Sequence, residues 1–363
     1  MRKYTLFIAC LIFATSYSHA IIRTVSNTPS TLAQFNTIQA AVDASSSGDS
    51  IYVHGSPNQY ASFIITNKQL VIIGPGWSPN KNLPFSAVVN GCSILGAPSN
   101  NTELQGLNFS GTVSINSSKA DNIRFIRNYF GAFTGISVNL GGVTYSGYLF
   151  EGNIFDNAQV NATTGSTYQN FLFQNNYFYE SGCCVGGNIN SFQNSVNILF
   201  NHNLWFGPGS GARDCFANNC RFLTITNNIF VRRDAGSQNS NSTFNNNITF
   251  FPTGTPPSDP WSVNGNINSG GNISNQDPQM VAQTGVNGGT NNALQDFTIA
   301  AGPANNSASD GKDMGLLFDA TGSLNWNNSR GSRLPFIFSM NIVNPTIPQG
   351  GTLTVQVEAR KNN

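Results

Sequence analysis

The chain has 363 residues, and only 9% of them are charged, against roughly 25% in an average soluble domain. Neutral polar residues replace the missing charge, with 52 Asn and 36 Gly, while 27 Phe and 10 Tyr supply apolar surface. The net charge is +1 without any basic block, so nothing points to nucleic acid as a partner. This composition excludes a disordered chain and a helical bundle, and it favours a β protein with an aromatic core.

Residues 1–20 are predicted to be an export signal. Arg2 and Lys3 supply the positive start, residues 6–14 are apolar, and residues 18–20 match a small-x-small cleavage site. The apolar stretch is too short to span a membrane, and no other segment has eighteen consecutive apolar residues. We therefore expect a secreted or surface-located protein that does not span the membrane; an uncleaved anchor is the alternative.

A short amphipathic helix is predicted near the start of the mature chain. In residues 36–44, either of the first two residues can cap the helix, and Ile38, Ala41 and Val42 lie on one face. The apolar segments 51–53 and 69–74 follow it and are typical of strands.

A repeat with the pattern apolar-x-apolar-x-x-Asn-x-aromatic fills the middle of the chain. Its copies are Ile123–Phe130, Tyr148–Phe155, Phe171–Phe178, Ile198–Trp205, Leu223–Phe230 and a fainter one beginning at Phe244. The aligned asparagines are Asn128, Asn153, Asn176, Asn203, Asn228 and Asn247, with spacings of 25, 23, 27, 25 and 19 residues.

This repeat predicts a right-handed parallel β-helix. The alternate apolar positions indicate a short strand with one buried face, and the Asn marks the corner before the next strand. When coils stack, the Phe side chains form an interior column, and the Asn amides form a ladder in which each amide bonds to its neighbours. The helix at 36–44 would then cover the open end of the first coil. A leucine-rich repeat is the alternative, but it calls for Leu at nearly every apolar position and a more regular period.

The sequence thus predicts an all-β solenoid with an N-terminal capping helix and a C-terminal β segment. We assign residues 1–20 to the signal peptide, 21–318 to the β-helix and 319–363 to the β segment. In that last part, 334–338 and 352–358 alternate like strands around a turn at 347–351, so the segment is expected to cap the last coil or lie along its side.

Four cysteines, Cys183, Cys184, Cys215 and Cys220, lie close together in the sequence. In an oxidising compartment this grouping predicts at least one disulfide, either across neighbouring coils or as a Cys215–Cys220 loop closure. A zinc site is less favoured because two of the four are adjacent, and we predict no metal site there. Cys92 is expected to be a buried free thiol.

The two ends of the predicted coils resemble those of pectate-lyase-like right-handed β-helix proteins. The segments that carry this resemblance are Thr37–Val42, Gly48–Val53, Leu70–Gly74, Asp277–Pro278, Asp296–Ile299, Gly302–Ala304 and Gly311–Gly315. The similarity covers residues 23 to about 318 and implies the fold more strongly than an activity, because this superfamily includes lyases, hydrolases and adhesins.

The resemblance implies a polysaccharide as partner, and the sequence leaves the status as an enzyme open. Hydrolysis needs paired carboxylates, yet no two acidic residues are adjacent in the chain, so a lyase is the favoured enzyme. A lyase needs an Arg or Lys base and often Ca²⁺. Ca²⁺ is therefore the one candidate cofactor, although the clustered acidic residues that would bind it are scarce in this sequence. The alternatives are a non-catalytic adhesin or structural surface protein and a binding solenoid of the leucine-rich type; we expect a monomer.

Counting from the ladder asparagines gives the candidate site residues. The candidate catalytic residues, expected to stack along one edge of the solenoid and to bind or deprotonate an acidic glycan, are Glu180, Arg213, Asp214, Arg232, Arg233 and Asp234. The candidate substrate-binding residues are Asp156, His202 and Trp205. His202 stands directly before a ladder Asn, in a variable position that we interpret as outward, so a solvated side chain is its default.

Overall fold

The structure, a computed structural model, describes residues 20–29, 31–77, 85–181, 186–209, 213–319, 324–329, 336–342 and 350–360. The described chain winds into an all-β, right-handed parallel β-helix of about 10 turns, which confirms the predicted fold class. Most coils contribute one strand to each of three parallel sheets, A, B and C. A leucine-rich solenoid is therefore the wrong alternative, and the predicted signal peptide lies outside the described residues except for Ala20.

The strands are short and follow one another in the order A, B, C around each coil. Sheet A contains Ile22–Val25, Ser50–Val53, Val71–Ile73, Glu103–Gln105, Arg124–Ile126, Thr144–Ser146, Leu149–Glu151, Thr167–Gln174, Ser195–Asn201, Leu223–Thr226, Thr243–Asn245 and Ile267–Asn268. Sheet B contains Val88–Val89, Asn108–Phe109, Tyr129–Phe130, Ile154–Asp156, Tyr177–Tyr179, Leu204–Phe206, Ile229–Val231 and Ile248–Phe250. Sheet C contains Phe63–Thr66, Cys92–Leu95, Val113–Ser114, Gly135–Ser137, Gln159–Asn161, Ile189–Asn190 and Phe216–Ala217.

Three further strand pairs and a few helical turns complete the described chain. The parallel pairs are Arg213–Asp214 with Arg233–Asp234 and Cys220–Arg221 with Asn239–Ser240, and the antiparallel pair is Phe336–Ile342 with Val355–Arg360. The helices are α1 (Ile38–Ala44), α2 (Gln283–Asn287) and α3 (Trp326–Ser329), with 3₁₀ turns at Ala97–Ser99 and Pro260–Ser262. No helix in the described ranges is both long and apolar enough to cross a membrane.

Aromatic rings from successive coils stack inside the solenoid, as the repeat predicts. In sheet A, Phe125, Phe150, Phe173 and Phe200 are in register, with centroids of successive rings 5.3, 4.2 and 4.4 Å apart. A second column in sheet B consists of Phe109, Phe130, Phe155, Phe178, Trp205 and Phe230. Burying each ring stabilises the fold by about 2 kcal/mol, which offsets the weak strand propensity of the Asn- and Gly-rich corners.

The predicted asparagine ladder forms at the corner between sheets A and B. All six ladder asparagines are buried; the Oδ1 of Asn128 accepts from Leu107 N, and the Oδ1 of each of the other five accepts hydrogen bonds from the preceding ladder asparagine. Asn203 illustrates the pattern: its Oδ1 accepts from the backbone N and the Nδ2 of Asn176, and its Nδ2 donates to Phe173 O. Asn272 extends the ladder by a seventh member, which the repeat alone does not reveal.

The residue directly before each ladder Asn has a left-handed backbone. These residues, all with φ between 49° and 66°, are Arg127, Gly152, Asn175, His202, Asn227, Asn246 and Gly271. Gly, and to a lesser degree Asn, adopts this conformation with little strain, so the requirement explains part of the unusual Asn and Gly content.

Helix α1 covers the first coil, and the three residues predicted to face inward are buried. The Thr37 hydroxyl caps its start by accepting a backbone N–H at 3.2 Å. At its other end, Lys68 Nζ donates to the carbonyl oxygens of Val42 and Ser45 at 3.0 and 2.9 Å. A lysine ammonium there neutralises the partial negative charge at the helix C-terminus.

The coils end earlier than expected. The last sheet A strand is Ile267–Asn268, and residues 276–319 and 324–326 then turn back over the outer face of sheet B. The outward side chains of sheet B that they cover are Ile154, Tyr177, Leu204, Ile229 and Ile248. The covering side chains include Met280, Val286, Phe297, Met314, Leu316 and Trp326. The molecule therefore has a second apolar core outside the solenoid, where the sequence suggested further coils.

Residues 305–318, which we call the strap, run across the left-handed positions. Asn227 Nδ2 donates to Ser309 Oγ at 3.0 Å, and Asn175 Oδ1 accepts from Leu317 N at 2.7 Å. The strap therefore closes over the corner between sheets A and B and buries the residues placed there.

Candidate functional site

All six candidate catalytic residues lie where the chain passes from sheet B to sheet C, a corner that we call the B–C edge. Their side chains do not share one surface. Arg233 is fully buried inside the solenoid. Asp214 and Asp234, which belong to the same pair of strands, are half-buried at the surface. Only part of the predicted cluster can therefore meet a ligand.

Arg233 holds the coils together and is not available to a substrate. Its Nη2 donates to Asp214 O at 2.6 Å and to Asn188 Oδ1 at 2.8 Å, and its Nε donates to Arg213 O at 3.2 Å. A further bond runs from Nη1 to Phe206 O at 3.4 Å. These acceptors bracket the loop that begins at Gly207, so the guanidinium fixes both ends of that loop. The expectation that Arg233 binds a substrate carboxylate is wrong.

Two other candidates are also buried. Arg232, at φ 55°, is 5% exposed, and its Nη1 donates to Val286 O at 3.5 Å beneath helix α2. Burial lowers the pKa of this guanidinium. Glu180 is 1% exposed. The covering residues 276–319 thus remove Arg232 from the surface that the sequence assigned to it.

Asp214 and Asp234 form a carboxylate pair, although they are not adjacent in the sequence. They are direct register partners on neighbouring coils. Asp234 Oδ1 accepts from the backbone N of Gly236 and of Ser237, both at 2.8 Å. Burial raises the pKa of Asp214, the Asp234 charge adds to this shift, and a hydrogen bond from Ser237 opposes it.

A groove of about 350 Å³ opens beside Asp234, between this coil and the loop of the following one. We call it the acidic groove; its lining residues are Arg233, Asp234, Thr249, Phe251, Pro256, Pro257, Ser258, Asp259, Pro260, Ser274 and Asn275. Asp259 Oδ2 accepts from Ser274 Oγ at 2.7 Å. Among the described residues, no donor contacts Asp234 Oδ2 or Asp259 Oδ1, so both oxygens can accept a hydrogen bond from a ligand.

The three predicted substrate-binding residues lie apart. Trp205 is in the interior aromatic column, with its ring centroid 3.9 Å from that of Phe178, so its expected role as a surface contact is wrong. Asp156 is half-buried on sheet B, where it accepts from Tyr129 Oη at 2.7 Å and from Asn157 Nδ2 at 2.9 Å.

His202 is 1% exposed beneath the strap, which corrects the expectation of a solvated side chain. Its Nδ1 lies 3.2 Å from Gly315 O, and its Nε2 lies 3.2 Å from Asp310 Oδ2. Both partners are acceptors, and a neutral ring can donate to only one of them. Burial lowers the pKa of His202 below its ordinary value of 6.5, and the Asp310 carboxylate partly opposes this shift.

The stability of the protein should therefore depend on the protonation of His202. Since its pKa is lower in the folded state than in the unfolded state, the stability due to the neutral ring is present above pH 6.5 and is lost as the pH falls below it. In His202→Asn this dependence should disappear because an amide does not titrate, and the turn should be kept because Asn occupies the same left-handed position at Asn175 and Asn227. Thermal melts at pH 7.5 and pH 5.0 measure this. Equal changes in melting temperature for both proteins would contradict the prediction.

The cysteine prediction is corrected in part. Cys92, Cys215 and Cys220 are buried free thiols, so the Cys215–Cys220 closure is absent. Both side chains point into the coil, where Cys220 Sγ lies 3.4 Å from Ala217 O. Cys183 and Cys184 lie outside the described residues. In the described part of the chain, no three His, Cys, Asp or Glu side chains form a metal cluster.

Because sequence comparisons with known proteins find no match, the protein can be classified by its fold. No protein-family model matches the chain, and the search of curated proteins finds no similar sequence. The observed geometry defines the class as a parallel β-solenoid with a covered sheet B and an acidic groove at the B–C edge.

Proposed function

We propose that this protein is an exported, pectate-lyase-like β-helix protein that binds a glycan in the acidic groove. The observation that carries the proposal is the pair of carboxylate oxygens, Asp234 Oδ2 and Asp259 Oδ1, beside a groove that is also lined by Phe251 and proline rings. The signal-like residues 1–20 support export, and the resemblance of residues 37–74 supports the family.

The groove combines the two kinds of contact that a sugar offers. Ionised carboxylates only accept hydrogen bonds, and sugar hydroxyls donate them. The rings of Phe251, Pro256 and Pro257 give apolar surface for the C–H faces of a sugar. Polar groups that orient a ligand beside apolar side chains that contact it are typical of a ligand site.

The charges of the groove favour a neutral glycan over the acidic glycan expected from the sequence. Arg232 and Arg233 are buried, whereas the groove and its rim carry the carboxylates of Asp214, Asp234 and Asp259. Carboxylates repel uronate groups, and Arg233, the arginine that lines the groove, is buried and bonded to Asn188 Oδ1 and Asp214 O within the solenoid. The same burial leaves the lyase hypothesis without its candidate bases at positions 232 and 233.

Binding to a glycan array, followed by calorimetry with the best ligand, tests the proposal. We expect the double variant D234N/D259N to bind at least tenfold more weakly, because each amide replaces a charged acceptor by a neutral one. The matched control is D43N/D296N, which removes two exposed carboxylates away from the groove. Binding that the two double variants weaken equally, or that neither weakens, would contradict the proposed site.

The same edge supports glycoside hydrolysis as a second candidate activity. Asp214 and Asp234 are register partners on neighbouring strands, and the backbones of such strands lie about 4.8 Å apart. In retaining glycosidases the two carboxyl groups are about 5 Å apart, so two side chains at this strand spacing suit that reaction. The raised pKa of Asp214 suits a general acid, and Asp234 would serve as the second carboxylate. Turnover should then fall as the pH rises through the pKa of Asp214, and D214N should abolish it. Release of reducing ends would measure hydrolysis. Ultraviolet absorbance of unsaturated product from uronate polymers would measure lyase activity. Glycan binding without either activity would indicate an adhesin.

A further inference from the structure

Two Asp–Pro peptide bonds occur in the chain, and the structure holds them in different ways. They are Asp259–Pro260, in the wall of the acidic groove, and Asp277–Pro278, at the start of the covering residues. An Asp–Pro bond can cleave itself in acid, because the side-chain carboxylate lies next to the carbonyl carbon of the same residue and the Pro nitrogen is part of a tertiary amide. Whether a folded chain does so depends on the groups that contact the bond.

The backbone carbonyl of Asp259 accepts two hydrogen bonds from Ser262. The Ser262 backbone N lies 3.1 Å from Asp259 O, and the Ser262 Oγ lies 3.0 Å from the same oxygen. The 3₁₀ turn Pro260–Ser262 holds both donors in place. Donors at about 2.7–3.1 Å stabilise the negative charge that develops on a carbonyl oxygen when its carbon is attacked. The Asp259 carbonyl is therefore arranged for attack.

The Asp259 carboxylate supplies the attacking atom. Its Oδ2 accepts from Ser274 Oγ at 2.7 Å, which fixes one side of the group. No donor in the described part of the chain contacts Oδ1, so this oxygen is free to act as the nucleophile. The residue is half-buried in the open acidic groove, so water can reach it.

The second Asp–Pro bond lacks this arrangement. Asp277 Oδ1 accepts from Gln279 N at 2.7 Å, so one carboxylate oxygen is engaged by the backbone. Within the described ranges, no donor contacts the backbone carbonyl oxygen of Asp277. Asp277–Pro278 is thus an internal comparison, with the same two residue types and without the donors on the carbonyl.

We propose that Asp259–Pro260 is a self-cleavage site of the folded protein. Asp259 Oδ1 forms a bond to its own backbone carbonyl carbon, the bond from that carbon to Pro260 N breaks, and the nitrogen takes up a proton. The product is a cyclic anhydride at Asp259, which one water molecule from the groove opens to two carboxyl groups. The net reaction is the hydrolysis of one peptide bond, and water is the only co-reactant.

The cut leaves the molecule folded and changes the acidic groove. The Trp261 ring is buried, with its centroid 6.2 Å from that of Phe244, and Ile267–Asn268 pairs with Thr243–Asn245. The chain after the cut therefore stays packed on the solenoid. The groove loop 252–259 gains a free end, so its wall of the groove can open. The inference concerns the peptide bond alone and does not depend on glycan binding.

Mass spectrometry of the exported protein after incubation at pH 5.0 tests the proposal, with circular dichroism to show that the chain stays folded. In the folded protein, the cut at Asp259–Pro260 should be at least tenfold faster than the cut at Asp277–Pro278. In guanidinium chloride at the same pH, the two bonds should cleave at similar rates, because Ser262 no longer holds the Asp259 carbonyl.

Two variants identify the groups that act. S262A removes one of the two donors from an exposed residue, so it should slow the cut in the folded protein at least tenfold and leave the rate in guanidinium chloride unchanged. D259E keeps the charge but places the carboxylate one carbon too far away, so the cut should be lost. The matched control is D277E, which makes the same change at the other bond and should leave the cut at Asp259–Pro260 unchanged.

Equal rates at the two bonds in the folded protein would overturn the proposal. So would a folded wild type that stays intact while the chain in guanidinium chloride is cleaved, or a cut that S262A does not slow. A cut that persists in D259E would show that the Asp259 carboxylate is not the nucleophile, and it would overturn the proposal as well. A failure to bind any glycan would contradict the proposed function and leave the self-cleavage site untouched.

Discussion

Replacing Asn203 by Ala is expected to lower the free energy of unfolding by about 3–5 kcal/mol. Its side chain makes four bonds within the buried ladder, two of them from Asn176 and two to Phe173 O and Asn228 Oδ1. Alanine would leave the buried backbone N–H of Asn176 without its acceptor and would take one acceptor from Asn176 Nδ2. Each such group destabilises a fold by about 1–3 kcal/mol.

Urea denaturation measures this effect, and Asn197→Gly is the matched control. Asn197 is exposed, has a φ of 53°, and its Nδ2 donates to Asn170 Oδ1 at 2.8 Å. Glycine accepts the same backbone, so the control should change stability by less than about 1 kcal/mol. Similar losses in the two variants would show that the ladder contributes no more than a surface hydrogen bond.

Trp326→Ala is expected to release the segment that covers sheet B. The Trp326 ring is buried, its centroid lies 5.8 Å from that of Trp77 and 6.1 Å from that of Tyr177, and its Nε1 donates to Ala293 O at 3.1 Å. Truncating a buried Trp typically destabilises by about 3–5 kcal/mol, and here the loss should fall on residues 276–319 and 324–326. Amide hydrogen exchange should therefore rise in that segment while the ladder stays protected.

Trp326→Phe serves as the control because it keeps an aromatic ring in the cluster. It should give exchange close to that of the wild type, since most of the apolar contact remains. An equal rise of exchange in the segment and in the ladder coils of Trp326→Ala would mean that cover and solenoid unfold as one unit, contrary to the prediction.

The sequence predicts the interior of the solenoid well because that interior is periodic. Phe150 and Asn176 recur at fixed places in a repeat, so their burial and stacking follow from the pattern alone. The positions of Arg233 and Asp234 do not follow from it. The left-handed residue Arg232 interrupts the alternation of the strand, so that Arg233 points inward and Asp234 outward.

The covered residues could not be predicted from the repeat. His202 is buried by contacts with Asp310 and Gly315, more than one hundred residues further along the chain. Periodicity describes one coil relative to the next, and it contains no information about a segment that leaves the coils. The Asp214 pair was missed for a related reason, because its members become neighbours only through the register of two coils.

The turn between sheets A and B has the same length in every coil from Glu103 onward that has both strands. Two residues always separate the sheet A strand from the sheet B strand, and from Arg127–Asn128 onward they are a left-handed residue and a ladder asparagine. An insertion there would break the hydrogen bonds of two neighbouring coils. At the B–C edge the number of residues between the sheet B strand and the sheet C strand varies. It is two in one coil, at Asn157–Ala158, and nine in the next, between Tyr179 and Ile189. Insertions are thus excluded from the A–B corner, whereas the B–C edge is a place where new loops can be added without disturbing the ladder.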